Sequence, residues 1–377
     1  MKRSIVFMVK NMNIGGTEKA LLNLLSEMSK DRYDITILLM EEKGEFLTHI
    51  PQHVHVEVLK GFSKIKRMIN QPPKQTAISL FKEGSVIKAL SFSYFYFLSK
   101  IFRNKDIYIG YLAKHIRYEN KKYDIAVAYA GPMDFISYFI LNKVSATKRI
   151  QWIHFDVTKI GFNHVNALKS YRSFNKIFVV SKESQQKLKE LLPSISNKIF
   201  WFPNFISQKV IQNLAEVGSG FQDDFNGIRI LTVGRLSREK GQDLIIKVLA
   251  KLKRKGIHVK WYCIGEGIER NNYEKLIEHY GLREDFLLLG AKANPYRYMK
   301  DCDIYIQPSR HEGFCITLAE AICFNKPIIS TKFSGAYEQL VPKRKGEIVD
   351  FDEDQLELMI LEKIKELKNY QNESVRG

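Results

Sequence analysis

The stretch Ile228 to Leu252, IRILTVGRLSREKGQDLIIKVLAKL, contains the clearest fold signal in the chain. An apolar run from Ile228 to Val233 leads into Gly234-Arg235-Leu236-Ser237-Arg238-Glu239-Lys240-Gly241, and apolar residues at helical spacing follow. This order predicts a buried strand, a tight turn and a helix, which is the repeating unit of a parallel sheet covered on both faces.

Further apolar runs of strand length recur along the chain, with helical stretches between them. In the first half they are Ile5–Val9, Ile35–Met40, Ile125–Tyr129, Lys148–Ile153 and Ile177–Val180; in the second half they are Ile228–Val233, Val259–Ile264, Phe286–Leu289, Ile304–Gln307 and Pro327–Ser330. We therefore predict an α/β fold of two Rossmann-like domains, whose parallel sheets face each other across a cleft. Ligands of such sheets bind beyond the carboxyl ends of the strands.

Two segments depart from this alternation. Residues 61–109, interrupted by Pro72-Pro73, are interpreted as a helical insertion, and Glu353 to Leu367 has the apolar spacing of one amphipathic helix. Gly218-Ser219-Gly220 is typical of a linker. The predicted organisation is a first domain over 1–210, a second over 221–350, and a helix and tail over 351–377.

Composition restricts the class of protein. The 377 residues are 45% hydrophobic, enough for two cores. The longest nearly unbroken apolar run, Phe92 to Leu98, is far shorter than the about 20 residues that a membrane-spanning helix needs. Ile5 to Val9, cut short by Lys10, predicts a buried first strand and not a signal-peptide core. The cysteines lack the close pairs of a zinc site or disulfide framework, which favours a reducing cytoplasm; they are Cys263, Cys302, Cys315 and Cys323.

The net charge of +18 is concentrated in the N-terminal part. Residues 1–220 hold 33 Lys and Arg against 17 Asp and Glu, a net of +16, whereas the remainder holds 26 against 24, a net of +2. Between Gly61 and Asp106 the cations alternate with aromatic residues, a mixture that suits anionic lipid headgroups with shallow aromatic insertion. A solvated helix surface whose aromatic residues lie in a core is an equally good interpretation.

Two cations follow the strand that ends at Val233. Gly234 allows the backbone to turn tightly, and Arg235 and Lys240, five residues apart, can converge on one diphosphate. We interpret both as phosphate ligands; the alternative is an ordinary basic loop.

A second polar loop lies between the strand ending near Gln307 and a helix starting near Ile316. It reads Ser309-Arg310-His311-Glu312-Gly313-Phe314-Cys315-Ile316-Thr317-Leu318-Ala319-Glu320. Free amides at a helix N-terminus bind phosphate oxygens well, so Gly313 to Thr317 are candidate donor-binding residues. Glu312 can accept hydrogen bonds from sugar hydroxyls, and Glu320 can accept from the two ribose hydroxyls. A solvated helix face is the alternative for either glutamate.

Three other segments are candidates for the site. Gly15 and Gly16, in Asn13-Ile14-Gly15-Gly16-Thr17-Glu18, precede a helix predicted over Lys19 to Met28, where backbone can approach a ligand; a plain turn is the alternative. Gly265-Glu266-Gly267 follows a strand, but Arg270 occupies the third glycine position of a dinucleotide fingerprint, so a dehydrogenase is poorly supported. His154 follows a short strand, and a structural histidine is its default interpretation.

Taken together, these segments resemble the family-4 retaining glycosyltransferases of the GT-B fold, of the bacterial surface-polysaccharide type. The resemblance covers nearly the whole chain, and its motifs are Gly15-Gly16-Thr17-Glu18, the His154 region, Gly234-Arg235-Leu236 with Lys240-Gly241, Gly265-Glu266-Gly267, Glu312 with Glu320, and Ser334-Gly335 with Glu338. Two departures are Cys315, where the family often has glycine or proline, and Phe205, where Asn204 is commonly followed by glycine.

The resemblance implies a role for each residue. Arg235 and Lys240 bind the donor diphosphate, amides around Phe314 to Thr317 support the distal phosphate, Glu312 contacts the transferred sugar, Glu320 holds the ribose, and His154 lies near the reacting carbon. Transfer with retention of anomeric configuration, from a uridine diphosphate sugar as the commonest donor, is expected. Because cations and amides supply the charge that the leaving diphosphate needs, no metal or other cofactor is expected.

The acceptor expected from the basic first domain is an anionic, lipid-linked or glycan acceptor in surface-polysaccharide or capsule synthesis. Peripheral membrane contact at the inner face of the plasma membrane is expected, and no nucleic acid. One alternative is a sugar-nucleotide epimerase or phosphorylase of similar fold. The other is a nucleic-acid-binding protein that uses the basic N-terminal half, which would leave the Glu312 to Glu320 loop without a purpose.

Overall fold

The structure of the chain is a computed structural model that describes residues 2–119, 121–131, 134–155, 157–158, 162, 164–218, 220–333, 335–343 and 345–374. Contacts divide the chain into two units. Met1–Asn13 and Leu24–Pro203 form the N-terminal unit, and Ile14–Asn23 and Asn204–Gly377 form the C-terminal unit. The change between units thus falls at Pro203, before the predicted linker, whose Ser219 lies outside the described residues.

The N-terminal unit is built on a seven-stranded sheet. Its strands are β1 (Arg3–Val9), β2 (Tyr33–Leu39), β3 (Val54–Val58), β4 (Lys122–Gly131), β5 (Ser145–Ile153), β6 (Lys176–Val179) and β7 (Ile199–Trp201), and they lie in the order β3-β2-β1-β4-β5-β6-β7. Every pairing between them is parallel. The segment with a predicted helical insertion contains four helices, α2 (Phe62–Asn70), α3 (Pro73–Lys82), α4 (Val86–Ile101) and α5 (Lys105–Ala113).

The other helices of the first 203 residues follow the strands in sequence. They are α1 (Gly16–Glu27), α6 (Asp134–Asn142), α7 (His164–Tyr171) and α8 (Lys182–Leu191). The first turns of α1, up to Asn23, belong to the C-terminal unit by their contacts. Parallel strands need such crossover connections, because the chain must return to the starting edge of the sheet.

The C-terminal unit is built on a six-stranded parallel sheet. Its strands are β8 (Ile228–Val233), β9 (Val259–Ile264), β10 (Phe286–Leu288), β11 (Ile304–Gln307), β12 (Ile328–Thr331) and β13 (Glu347–Val349), in the order β10-β9-β8-β11-β12-β13. This is the Rossmann order, whose ligand crevice lies where β8 and β11 are neighbours. The helices are α9 (Gln208–Val217), α10 (Gln242–Arg254), α11 (Arg270–His279), α12 (Tyr296–Asp301), α13 (Ile316–Ala321), α14 (Ala336–Leu340) and α15 (Glu353–Ser374).

Both faces of the C-terminal sheet are buried. Along β9, Trp261 and Cys263 join one apolar cluster, whereas Tyr262 and Ile264 join the other. Side chains alternate between the two faces of a strand, so a sheet covered on both sides requires a continuous apolar run. The amphipathic helix predicted after Glu353 packs on the first cluster through Leu356 and Ile360.

The predicted fold class is confirmed: the chain has two α/β units, each with a parallel sheet. All ten predicted strands exist: β8, β9 and β11 have the predicted bounds, and the ends of the others differ by at most three residues. Sequence reasoning missed β3, β7 and β13, which lie at sheet edges or are only three residues long. Such strands carry partly exposed side chains and therefore a weak apolar signal. No helix within the described residues is long and apolar enough to cross a bilayer.

Candidate active site

The candidate site of the C-terminal unit lies at the carboxyl ends of β8 and β11. Arg235 follows β8, and Ser309 to Cys315 follow β11. The two strands are neighbours although 70 residues of chain, 234–303, separate them, and this is the position at which the strand order reverses. Loops of both strands therefore border the same crevice.

The loop after β8 is held by close backbone contacts. Gly265 has a φ of +151°, and a Cβ there would lie 1.9 Å from the carbonyl oxygen of Gly234. A Cβ at Gly241, whose φ is +73°, would lie 1.9 Å from the Pro308 carbonyl oxygen. Both positions require glycine, because any side chain would collide with main chain. These contacts fix the Arg235–Lys240 loop against its neighbours.

Lys240 and Glu312 form an ion pair across this crevice. The ammonium donates to Oε1 of Glu312, which also accepts from Oγ of Ser309 at 3.1 Å. Side-chain exposure is only 20% for Lys240 and 14% for Glu312. Burial is the largest single effect and lowers the pKa of Lys240, but the charge of Glu312, the hydrogen bond to Glu312 and a contribution from Cys315 together outweigh it, so the pKa lies above its ordinary value. The ammonium therefore stays charged, as a phosphate ligand must.

Arg235 is exposed and lies near Lys240, since its charge opposes protonation of that ammonium. The Arg235 carbonyl accepts from Nε2 of the buried Gln242 at 2.9 Å. The two predicted phosphate ligands thus come from one loop whose backbone is fixed, and they lie close enough for their charges to interact.

A buried polar network supports the Glu312 loop. Gln307, at the end of β11, donates from Nε2 to Ser309 Oγ at 2.9 Å, and its Oε1 accepts from the hydroxyls of Tyr305 at 2.8 Å and Thr317 at 3.1 Å. The Thr331 hydroxyl donates to the Ser309 carbonyl at 2.6 Å. These hydrogen bonds are buried, except that from Thr317, which is partly buried, and such networks make a loop rigid. The network therefore fixes the backbone of the loop from which the Glu312 side chain extends.

Arg310 joins the loop after β11 to the loop after β8. Its guanidinium donates to both carboxylate oxygens of Asp243, at 2.8 and 2.6 Å, and to the Arg238 carbonyl at 2.6 Å. Its main-chain N–H donates to the Glu239 carbonyl at 2.8 Å, and the guanidinium lies 4.2 Å from the Phe351 ring centroid. A bidentate, stacked arginine sets distance and orientation together. Arg310 is therefore a positioning residue for the Lys240–Glu312 pair.

The turn from Gly313 to Thr317 contains an unusual backbone. Cys315 has a φ of +60°, rare for a residue with a side chain, and its Sγ lies 3.4 Å from Thr317 Oγ1. The Phe314 carbonyl accepts from Gln339 Nε2. A left-handed backbone of this kind favours glycine, so Cys315 adopts it at an energetic cost. Burial raises the pKa of the Cys315 thiol to about 12. Ile316 is buried, and Ser334 lies outside the described residues.

Glu320 lies on α13 and is 3% exposed. One carboxylate oxygen accepts from the Tyr296 hydroxyl at 2.7 Å, and Lys19 Nζ lies 5.1 Å from the centroid of the Tyr296 ring. Burial raises the pKa of Glu320, opposed by the charge of Lys19 and the Tyr296 hydroxyl. Sequence reasoning missed Lys19 and Tyr296, because lone residues far apart in the chain form no motif.

The glycines before α1 lie beside Arg235. A Cβ at Gly15 would lie 2.4 Å from Glu18 Oε2 and 3.9 Å from an Arg235 nitrogen, whereas a Cβ at Gly16 would meet open space. Burial raises the pKa of Glu18, partly offset by hydrogen bonding to main chain and by the charge of Arg235. Helix α1 begins at Gly16, three residues before its predicted start.

Gly265 and Glu266 form the turn after β9. Gly265 N–H donates to the Gly290 carbonyl at 2.9 Å, and the Glu266 carbonyl accepts from Leu236 N–H at 3.1 Å. The Glu266 side chain pairs with Arg270. The role of this turn in the structure is to support the Arg235 loop; a ligand contact at either residue stays a prediction.

His154 belongs to the N-terminal unit and follows β5. It is 8% exposed, its ring lies 4.5 Å from that of Tyr129, and its Nε2 has no hydrogen-bond partner among the described residues. Burial lowers its pKa to about 3. The imidazole is therefore neutral at physiological pH. Asp156, two residues later, lies outside the described residues.

The fold and site define a class: a two-unit α/β protein with paired cations and acidic acceptors at a Rossmann switch point. Residues 222–375 match the family model described as Glycosyl transferases group 1, so the C-terminal unit carries a domain of this kind, which includes Arg235, Lys240, Glu312 and Glu320.

Two curated relatives align with part of the chain. An uncharacterized glycosyltransferase, MJ1059 of Methanocaldococcus jannaschii, is 28% identical over 56% of this chain and 56% of its own length. The N-acetylgalactosamine-N,N'-diacetylbacillosaminyl-diphospho-undecaprenol 4-alpha-N-acetylgalactosaminyltransferase of Campylobacter jejuni is 34% identical over 39% of this chain and 37% of its own length. The chain thus matches about half or less of the length of these relatives.

Solved structures match over nearly the full chain. Anabaena Alr3699/HepE, in complex with UDP and glucose, has a TM-score of 0.66 at 20% identity, covering 97% of this chain and 90% of that one. S. aureus TarM, in a complex that contains UDP, has a TM-score of 0.65 at 14% identity, covering 96% and 93%. At these identities the likeness establishes the fold of both units.

Proposed function

We propose that the chain is a retaining glycosyltransferase that moves a hexose or N-acetylhexosamine from a UDP-sugar to a lipid-linked or oligosaccharide acceptor in surface-polysaccharide synthesis. The observation that carries the proposal is the Lys240–Glu312 pair beside Arg235, at the switch point of a unit that matches the group 1 glycosyl transferases. UDP as the nucleotide is supported by the UDP bound in two of the solved neighbours.

The chemistry proposed follows from charge. Cleavage of the bond between the anomeric carbon and the phosphate leaves negative charge on the departing diphosphate. Arg235 and Lys240 would stabilise that charge in a partly buried site, where electrostatic interactions are stronger than in water. Glu312 would accept from hydroxyls of the transferred sugar and Glu320 from the ribose. Metal independence is part of the proposal, because the two cations can supply the required positive charge.

On the acceptor side, the proposal invokes an anionic lipid-linked glycan at the inner face of the plasma membrane. The +16 charge of residues 1–220 supports it, as do the diphospho-undecaprenol acceptor in the name of the Campylobacter jejuni relative and the O-antigen synthesis in the name of WclY of Escherichia coli. WclY is 26% identical over 42% of this chain and 43% of its own length. His154 would act near the reacting carbon as a neutral group.

The test measures nucleoside diphosphate release by the purified chain from a panel of UDP, GDP and ADP sugars, with and without a polyprenyl-diphosphate-linked glycan. Release that requires both a UDP-sugar and the acceptor is the expected result. Isomerisation of the donor without acceptor would indicate an epimerase, and sugar 1-phosphate formation a phosphorylase. Proton NMR of the anomeric signal of the product tests retention, and an inverted centre would exclude it.

A further inference from the structure

Helix α4 presents a continuous apolar stripe to solvent. Its members, called here the α4 stripe, are Ile87, Leu90, Tyr94, Phe97 and Ile101, and all are exposed, Ile87 by 81% and Phe97 by 62%. The intervals of three and four residues place them on one side of a helix. At a rise of 1.5 Å per residue, the stripe is about 21 Å long.

The opposite side of α4 anchors the helix in the N-terminal unit. Ala89, Phe92 and Ser99 are buried, and the Phe92 ring lies 5.5 Å from the ring of Tyr108. An ordinary surface helix has its apolar side in the core and polar residues towards water. Because α4 is apolar on both sides, burial within this chain accounts for only one of them. Phe81, at 59% exposure on α3, and Phe102, at 62% directly after α4, are further exposed apolar side chains of this segment.

The charge around the stripe indicates what covers it. Residues 61–106 contain nine Lys and Arg and two carboxylates, Glu83 and Asp106, a net of +7. Three of the cations, Lys88, Lys100 and Arg103, lie on α4 or directly after it and are exposed. A second copy of this surface would bring the same positive charge into contact with itself. An anionic surface is complementary both in charge and, through its apolar interior, in hydrophobicity.

We propose that the α4 stripe docks the N-terminal unit on a bilayer that carries anionic headgroups. Helix α4 lies parallel to the membrane plane, its apolar side chains enter the boundary between headgroups and acyl chains, and the flanking cations contact lipid phosphates. The inference deepens the proposed function, on which it rests for its biological purpose, since a lipid-linked acceptor is presented at such a surface.

The first experiment measures flotation of the full chain with vesicles of phosphatidylcholine, with or without phosphatidylglycerol. We expect binding that requires phosphatidylglycerol. The variant Ile87→Ser/Leu90→Ser/Phe97→Ser is expected to lower the partition coefficient by about tenfold or more, because the inserted apolar area is lost. The matched control Val217→Ser/Leu358→Ser also changes exposed apolar residues, 79% and 65% exposed, in the C-terminal unit. It is expected to bind as the wild type does.

A second variant tests the cations. Lys88→Gln/Lys100→Gln/Arg103→Gln is expected to weaken binding to phosphatidylglycerol vesicles by about a hundredfold, at roughly fivefold per cation near an anionic surface. Lys275→Gln, on the exposed side of α11, is the matched control. Phe97→Trp adds a direct measurement, because lipids brominated in their acyl chains should quench an indole inserted at this position.

Three results would overturn the inference: stripe variants that float as well as the wild type, no quenching of the Phe97→Trp fluorescence, or a dimer that the stripe variant converts to a monomer without change in vesicle binding. Stabilisation by UDP in a thermal-shift assay separates this failure from that of the proposed function. A variant that keeps its melting temperature and UDP response is folded. If the chain binds UDP but not vesicles, only the docking surface is refuted. If it binds vesicles but not UDP, only the proposed donor is refuted.

Discussion

We expect substitutions of Lys240 and of Glu312, which form an ion pair, to change UDP affinity in opposite directions. If the ammonium binds the donor diphosphate, Lys240→Met removes a charge-assisted hydrogen bond of about 1.5–3 kcal/mol, so UDP affinity falls roughly 10- to 150-fold. Glu312→Gln removes a negative charge from the neighbourhood of the phosphates. At an effective dielectric constant of about 20, a charge about 8 Å away is worth about 2 kcal/mol, so UDP should bind roughly tenfold tighter after screening.

Stability provides a second readout of the same pair. Lys240→Met leaves Glu312, 14% exposed, with only the Ser309 hydroxyl as a hydrogen-bond partner in the described site. Unpairing a fully buried charge costs about 3–5 kcal/mol, and partial exposure reduces this here to about 2 kcal/mol. The double variant Lys240→Met/Glu312→Gln should recover most of the loss, because the unpaired carboxylate is gone.

Calorimetric titration with UDP and chemical denaturation are the measurements. A matched control pair lies in the same unit: Lys253 and Asp285 are 2.8 Å apart, with side chains 32% and 20% exposed. Lys253→Met and Asp285→Asn should leave UDP affinity unchanged. If Glu312→Gln weakens UDP binding as much as Lys240→Met does, the pair only supports the loops, and the diphosphate assignment is refuted.

Three further outcomes are expected. The pKa of His154 falls from an ordinary 6.5 to about 3 on folding, so its contribution to stability is complete above pH 6.5 and is lost as the pH falls towards 3. Between pH 7 and 5, urea denaturation should show a loss of about 2 kcal/mol that His154→Gln lacks; parallel pH curves would contradict this. Gly265→Ala should cost more than about 3 kcal/mol, because its Cβ collides with main chain, whereas Gly281→Ala, also at positive φ but in open space, should cost about 1 kcal/mol. Arg310→Lys and Asp243→Asn should couple by about 1 kcal/mol in a double-mutant cycle of unfolding, and additive losses would refute the bidentate clamp.

Buried strands were predictable because both faces of each sheet are covered. The run from Ile228 to Val233 sends Ile230 into one cluster and Leu231 into the other, so neighbouring positions in the centre of the strand are both apolar. The edge strand β3 lacks this property, since only Val54 is buried and the other side chains of Val54–Val58 are exposed or partly exposed. Its sequence differs little from that of a loop.

Within the site, the sequence indicates proximity inside one loop better than contacts between distant segments. Arg235 and Lys240 share one short loop, and local spacing suggested their common role. The pairing of Lys240 with Glu312, 72 residues later, depends on β8 and β11 being neighbours, which only the sheet order determines. Tyr296 was unpredictable for the same reason, because its hydroxyl reaches Glu320 from a different helix.

Lys240 and Arg235 each have a carboxylate nearby, which suggests how a doubly charged ligand can bind them with little additional desolvation. A partly buried lysine needs a counterion, and Glu312 provides one in the unliganded chain. Arg235 has the charge of Glu18 nearby. An arriving diphosphate would replace one anion by another beside each cation, so little additional desolvation of Lys240 is required. The exchange would also release Glu312 to accept from sugar hydroxyls, which couples diphosphate binding to sugar recognition through a single ion pair.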